Sequence, residues 1–71
     1  MGLVNKKVYT DSGDYVGKIK EIILGENKID SLKIKVNKEY KINGVIVSYG
    51  YVKNVKDILI IDSNVFQKLD N

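Results

Sequence analysis

The chain has 71 residues and a formal charge of +3, from twelve lysines against nine acidic residues, and it contains no Cys, His, Arg, Trp, Pro or Ala. That length holds one domain. The missing residue types exclude disulfides and the usual zinc sites, the commonest general base and the thiol nucleophile, and guanidinium forks on phosphate or carboxylate. No apolar run approaches the roughly 18 residues of a membrane-spanning helix, and the start, Met1 to Lys6, has no signal-peptide core, so cytoplasmic residence is expected.

The β-branched content favours pleated strands. The first is expected over Leu3 to Tyr9. Asp11-Ser12-Gly13-Asp14 then brings together short acceptor side chains and a glycine, which is turn chemistry. The second strand runs from Tyr15 to Leu24, with Lys18 and Lys20 alternating with Gly17 and Ile19 and so facing out. The alternation breaks at Glu21-Ile22-Ile23-Leu24, as a bulge or bend would make it.

Gly25 to Lys28 is the next turn, and Ile29 to Val36 the third strand, with Leu32, Ile34 and Val36 on one face and Ser31, Lys33 and Lys35 on the other. Pairing Leu24 with Ile29 sets Lys18 opposite Lys35, Lys20 opposite Lys33 and Ile19 opposite Ile34. Asn43-Gly44 lies between Glu39-Tyr40-Lys41-Ile42 and Val45-Ile46-Val47-Ser48 and reads as a two-residue hairpin of type I′. Tyr51 to Lys56 lacks alternation and reads as a short helical turn.

Asp57 opens the last strand, Ile58-Leu59-Ile60-Ile61, whose four branched apolar residues call for cover on both faces. Ser63 is the expected N-cap of a short C-terminal helix with Val65, Phe66 and Leu69 on its apolar side. Six short strands with tight turns suit a small all-β barrel, which leaves no exposed sheet edge.

The order of these signals resembles the PRC-barrel family. The first matching segment, Val8 to Leu24, contains Asp11-Ser12-Gly13-Asp14-Tyr15-Val16-Gly17-Lys18-Ile19 and is similar to the family's D-x-G-x-x-[IV]-G-x-[IV] start. Leu32 to Val36 follows, and Val45 to Ile61 is similar to the pattern that closes the family's barrel. Ser48 stands where the family often has Pro, and Lys56 where it often has Gly. The resemblance covers nearly the whole chain and implies a stand-alone, six-stranded PRC-type barrel of archaeal type over residues 1–71. It also implies work by contact with other proteins, since relatives are associated with the division machinery or with ribosome maturation.

Several groups of residues bear on function. A high-affinity calcium loop needs more oxygen ligands than Asp11 to Asp14 supply, so that segment reads as a turn. Lys18, Lys20, Lys33 and Lys35 form a candidate basic face for RNA, a membrane surface or an acidic protein. Tyr49, Tyr51, Ile58, Ile60, Val65, Phe66 and Leu69 form a candidate interface, because tyrosine gives rigid contact area with a polar tip and so short a chain has little material of its own to cover its last strand. No catalytic residue, metal ligand or cofactor contact is expected. The expected function is a non-enzymatic protein–protein interaction module, homodimeric through the last strand and C-terminal segment and docked onto a larger assembly. An RNA- or ribosome-associated adaptor using the lysine face is the alternative.

Overall fold

The computed structural model describes residues 2–65. Its strands are β1 (Lys7–Thr10), β2 (Tyr15–Leu24), β3 (Ile29–Val36), β4 (Gly44–Ser48), β5 (Val52–Val55) and β6 (Leu59–Ile61), with a single 3₁₀ turn, Tyr49–Tyr51, between β4 and β5. They make one six-stranded sheet in the order β4-β3-β2-β1-β6-β5. Every neighbouring pair is antiparallel except β1 and β6, which run parallel and bring Val8 beside Leu59.

The short link between β4 and β5 dictates the shape. These strands stand at opposite ends of the sheet, about 24 Å apart if it were flat. The chain from Ser48 to Val52 reaches only about 14 Å when fully extended. The sheet must therefore curl on itself. It does not close, because no ladder joins β4 to β5 among the described residues. The expected all-β architecture is present as this curled sheet.

Inside the curl lie Val8, Val16, Ile19, Leu32, Ile34, Val36, Val45, Val47, Leu59, Ile61 and Val65, with Ile19, Leu32, Ile34, Leu59 and Ile61 fully buried. The register explains this. Val8, Gly17 and Val36 line up across β1, β2 and β3, while their neighbours Lys7, Lys18 and Lys35 line up on the outer face.

The structure matches the expected bounds of β2 and β3 and corrects the segments around them. The Leu3 to Tyr9 strand begins only at Lys7, because Asn5 adopts φ 72° and turns the chain. The β2–β3 ladder slips at Lys20, one residue ahead of the expected break, so Glu21 rather than Lys20 pairs with Lys33, and it slips again between Ile23 and Leu24, inside that break; Leu24 with Ile29, Lys18 with Lys35 and Ile19 with Ile34 pair as expected.

The Asn43-Gly44 hairpin does not form: residues 37–43 make a loop and β4 pairs with β3, setting Val45 against Ile34 and Val47 against Leu32. Burying two valines on the core outweighs a local turn that would offer them only Tyr40 and Ile42. Residues 52–55 are strand rather than helical turn, the 3₁₀ turn lying just before them.

Asn64 and Val65 are helical, and the remainder of the expected C-terminal helix lies outside the described residues. The cap acceptor there is Asp62, whose Oδ1 takes the Asn64 N–H at 2.9 Å. Ser63 instead turns to Asp11, donating its N–H to Asp11 Oδ1 at 3.1 Å.

Candidate functional site

The four lysines of the expected basic face come together. Lys18 and Lys20 on β2 and Lys33 and Lys35 on β3 line a groove of about 910 Å³ that runs along the β2–β3 ladder. One wall comes from Lys38, Tyr40, Ile42, Asn43 and Gly44, and Asn5 contributes from the N-terminal segment. Two of the lysines are direct cross-strand partners, and Lys7 extends their row on β1.

Among the described residues no carboxylate lines the groove. Glu21 stands opposite Lys33 in register, yet the only ion pair among the described residues is Lys53 with Asp11, at 3.0 Å. Like charges placed across a ladder cost roughly 0.2–1 kcal/mol per pair, so this face holds its lysines at some expense to stability. At the rim, Ile42 is 37% exposed, and Ile46, beside Lys33 on β4, is 61% exposed.

Lys38 and Lys7 escape the sequence reading for different reasons. Lys38 sits in a loop whose path depends on β4 joining β3. Lys7 belongs to the row only through the β1–β2 register. A search for outward lysines opposite Lys18 would have found Lys7; no local signal marks Lys38.

The expected interface divides. Val65 is 7% exposed and part of the core of its own chain, so it is corrected from interface to core. Tyr49 and Tyr51 are half-buried and pack against the core. Ile58 and Ile60 are half-buried, with Ile60 on the outer face, paired in register with Tyr9. Tyr9 in turn meets Tyr15, ring centroids 5.2 Å apart and planes tilted by 56°. Phe66 and Leu69 lie outside the described residues. Tyr9 and Tyr15 flank the first turn, and only the β1–β6 pairing places them beside the last strand.

The first turn forms a polar clasp. Asp11 accepts from Lys53 and from both the N–H and the hydroxyl of Ser63, and these contacts hold its carboxyl below the usual range. Lys53 is held above its usual value, first by the bond to Asp11 and then by the charges of Asp11 and Asp62. The clasp ties together the β1–β2 turn, β5 and the segment after β6. Tyr40 donates its phenol to the Tyr15 carbonyl at 3.1 Å, and burial followed by the charges of Asp14 and Glu39 pushes it up. These groups serve as struts, each bonded to its own chain.

No group of three or more His, Cys, Asp or Glu gathers as metal ligands among the described residues, and no helix there is long and apolar enough to cross a membrane. The model of the PRC-barrel domain matches residues 3–68. The chain belongs to the PRC-barrel family. No curated protein sequence matches it.

Two positions of this chain depart from the pattern it otherwise resembles. Ser48, where proline is frequent, has φ −59°, the angle a proline would impose, and its Oγ accepts from the Gly50 N–H at 3.4 Å. Lys56, where glycine is frequent, is not among the residues with positive φ and donates its N–H to the Ile58 carbonyl at 2.9 Å. Neither substitution disturbs the entry into β5 or β6.

Proposed function

We propose that this PRC-barrel chain is a non-enzymatic protein-interaction module that pairs with a second copy of itself and docks onto a larger assembly. One observation carries the reading: Tyr9, Tyr15 and Ile60 stand side by side on the outer face, each only half-buried by its own chain. Paired tyrosines next to a branched aliphatic residue combine rigid apolar area with polar tips, the composition of contact surfaces between proteins.

Three further features support it. The edge of β5, which has no ladder partner among the described residues, lies next to this face, with Val55 36% exposed. A chain of this size gains stability from a partner in the absence of disulfides and metals. The perturbed ionisable groups bond to their own chain, which suits a scaffold more than an acid–base site. Sedimentation velocity at tens of micromolar is the test. A dimer that Ile60→Lys converts to monomer is expected. A wild-type chain that remains monomeric overturns the self-association.

A further inference from the structure

We propose that the β2–β3 groove binds an extended acidic segment of a partner protein, one in which carboxylates alternate with aliphatic side chains. The proposal rests on reading the chain as an interaction module and is independent of self-association, since the groove and the tyrosine face involve different residues.

Charge complementarity is the first argument. Lys18, Lys20, Lys33, Lys35 and Lys38 line one concave surface; among the described residues no carboxylate lines it and none of these lysines forms an ion pair. A concave surface lined by one sign of charge focuses the field on its ligand. Only +3 of net charge remains over the whole chain, so this local excess is offset elsewhere. That arrangement suits a short anionic segment rather than a long polyanion.

Spacing is the second. Lys33 and Lys35 are two residues apart on one strand face, and Lys18 stands across from Lys35. Alternate residues of an extended peptide repeat at the same interval of about 7 Å, so carboxylates at every second position of the ligand meet successive lysines.

The rim is the third. Ile42 and Ile46 are exposed next to the lysines, and aliphatic side chains on the ligand gain by covering them. An RNA strand has less to offer there. The chain has no Arg, and the aromatic ring in the groove, Tyr40, is tethered through its hydroxyl to the Tyr15 carbonyl rather than presented as a stacking platform.

The test is fluorescence anisotropy at physiological salt. It uses the full chain with a labelled peptide alternating Glu with Val, the corresponding Lys–Val peptide, and a single-stranded RNA of matched charge. The Glu–Val peptide is expected to bind and the other two to bind more weakly. Lys33→Glu with Lys35→Glu should weaken binding roughly tenfold or more, as should the milder pair Lys18→Gln with Lys35→Gln if the reversal disturbs folding by circular dichroism. Lys28→Glu with Lys56→Glu, outside the groove, should retain binding. Failure of the Glu–Val peptide to bind, equal loss in the control pair, or tighter binding of RNA overturns the proposal. Sedimentation of the same samples reports self-association separately, so the two readings fail independently.

Discussion

Gly17 on β2 lies directly under the carbonyl of Lys35 on β3. A Cβ at position 17 would overlap the Lys35 oxygen and approach the Lys35 carbonyl carbon to 2.9 Å, and Gly17 also has φ 159°. The neighbour is backbone, paired in the ladder, and cannot step aside as a flexible side chain would. Gly17→Ala is therefore expected to destabilise the fold by about 1–3 kcal/mol, read as a lower urea midpoint. Because Lys35 lines the groove, the same variant should also weaken peptide binding there.

Leu59 is fully buried between β1 and β5, while Leu24, at the end of β2, is 74% exposed. Leu59→Ala should cost about 2–5 kcal/mol, and Leu24→Ala no more than about 0.5 kcal/mol. Thermal melts of both variants check the contrast. Comparable losses would contradict the placement of β6 at the centre of the core.

The Asp11 clasp predicts a pH signature. The folded state holds the Asp11 carboxyl below its ordinary value of 3.8. Its contribution is therefore complete above that ordinary value and is lost as pH falls through the lower, folded-state value. Lys53 behaves inversely: its contribution is complete below 10.5 and is lost as pH rises through its raised value. Asp11→Asn should melt below the wild type at neutral pH, and the difference should close in strong acid. A difference that persists unchanged in acid would count against an ionic clasp.

Tyr40→Phe removes the bond from the phenol to the Tyr15 carbonyl and should cost roughly 0.5–1.5 kcal/mol at neutral pH. The raised phenol also means that the folded state favours the neutral form, so stability falls as pH rises beyond 10.0. The variant should lose part of that alkaline decline in pH-dependent melts. The remainder includes the share from Lys53.

Gly44 distinguishes the observed β3–β4 pairing from a local hairpin. A type I′ turn needs positive φ at both central residues, yet neither Asn43 nor Gly44 has it, and a Cβ at position 44 meets only the Ile34 carbonyl oxygen, at 3.4 Å. Gly44→Ala should change stability by less than about 1 kcal/mol in either direction. Gly13→Ala, at φ 92° in the β1–β2 turn, should be the more damaging of the two, as urea titrations would show.

Much of this fold was legible in the residues. The period-2 alternation in Leu32-Lys33-Ile34-Lys35-Val36 fixes which face of β3 is buried, and the turn residues on either side of β2 set its ends and most of its register. The largest departure has a nonlocal cause. Asn43-Gly44 is a strong local turn signal, but Val45 and Val47 gain more from Ile34 and Leu32 than any local turn returns. The lysine face was legible as outward residues on two strands. Its concavity was not, because Lys38 and Ile42 arrive on a loop whose path follows from that same nonlocal pairing.

The sequence by itself determined the strand-rich character, the inner and outer faces of β2 and β3, the PRC-barrel pattern and the absence of staples, because these depend on residue type and on spacing within a single strand. Tertiary structure alone decided that β1 lies parallel to β6, that Tyr9 and Ile60 share a face, that Val65 belongs to the core and that five lysines meet in one groove. Each of these joins residues distant in sequence. Such contacts follow from the total apolar area a fold can bury, a property of the whole chain that no local window contains.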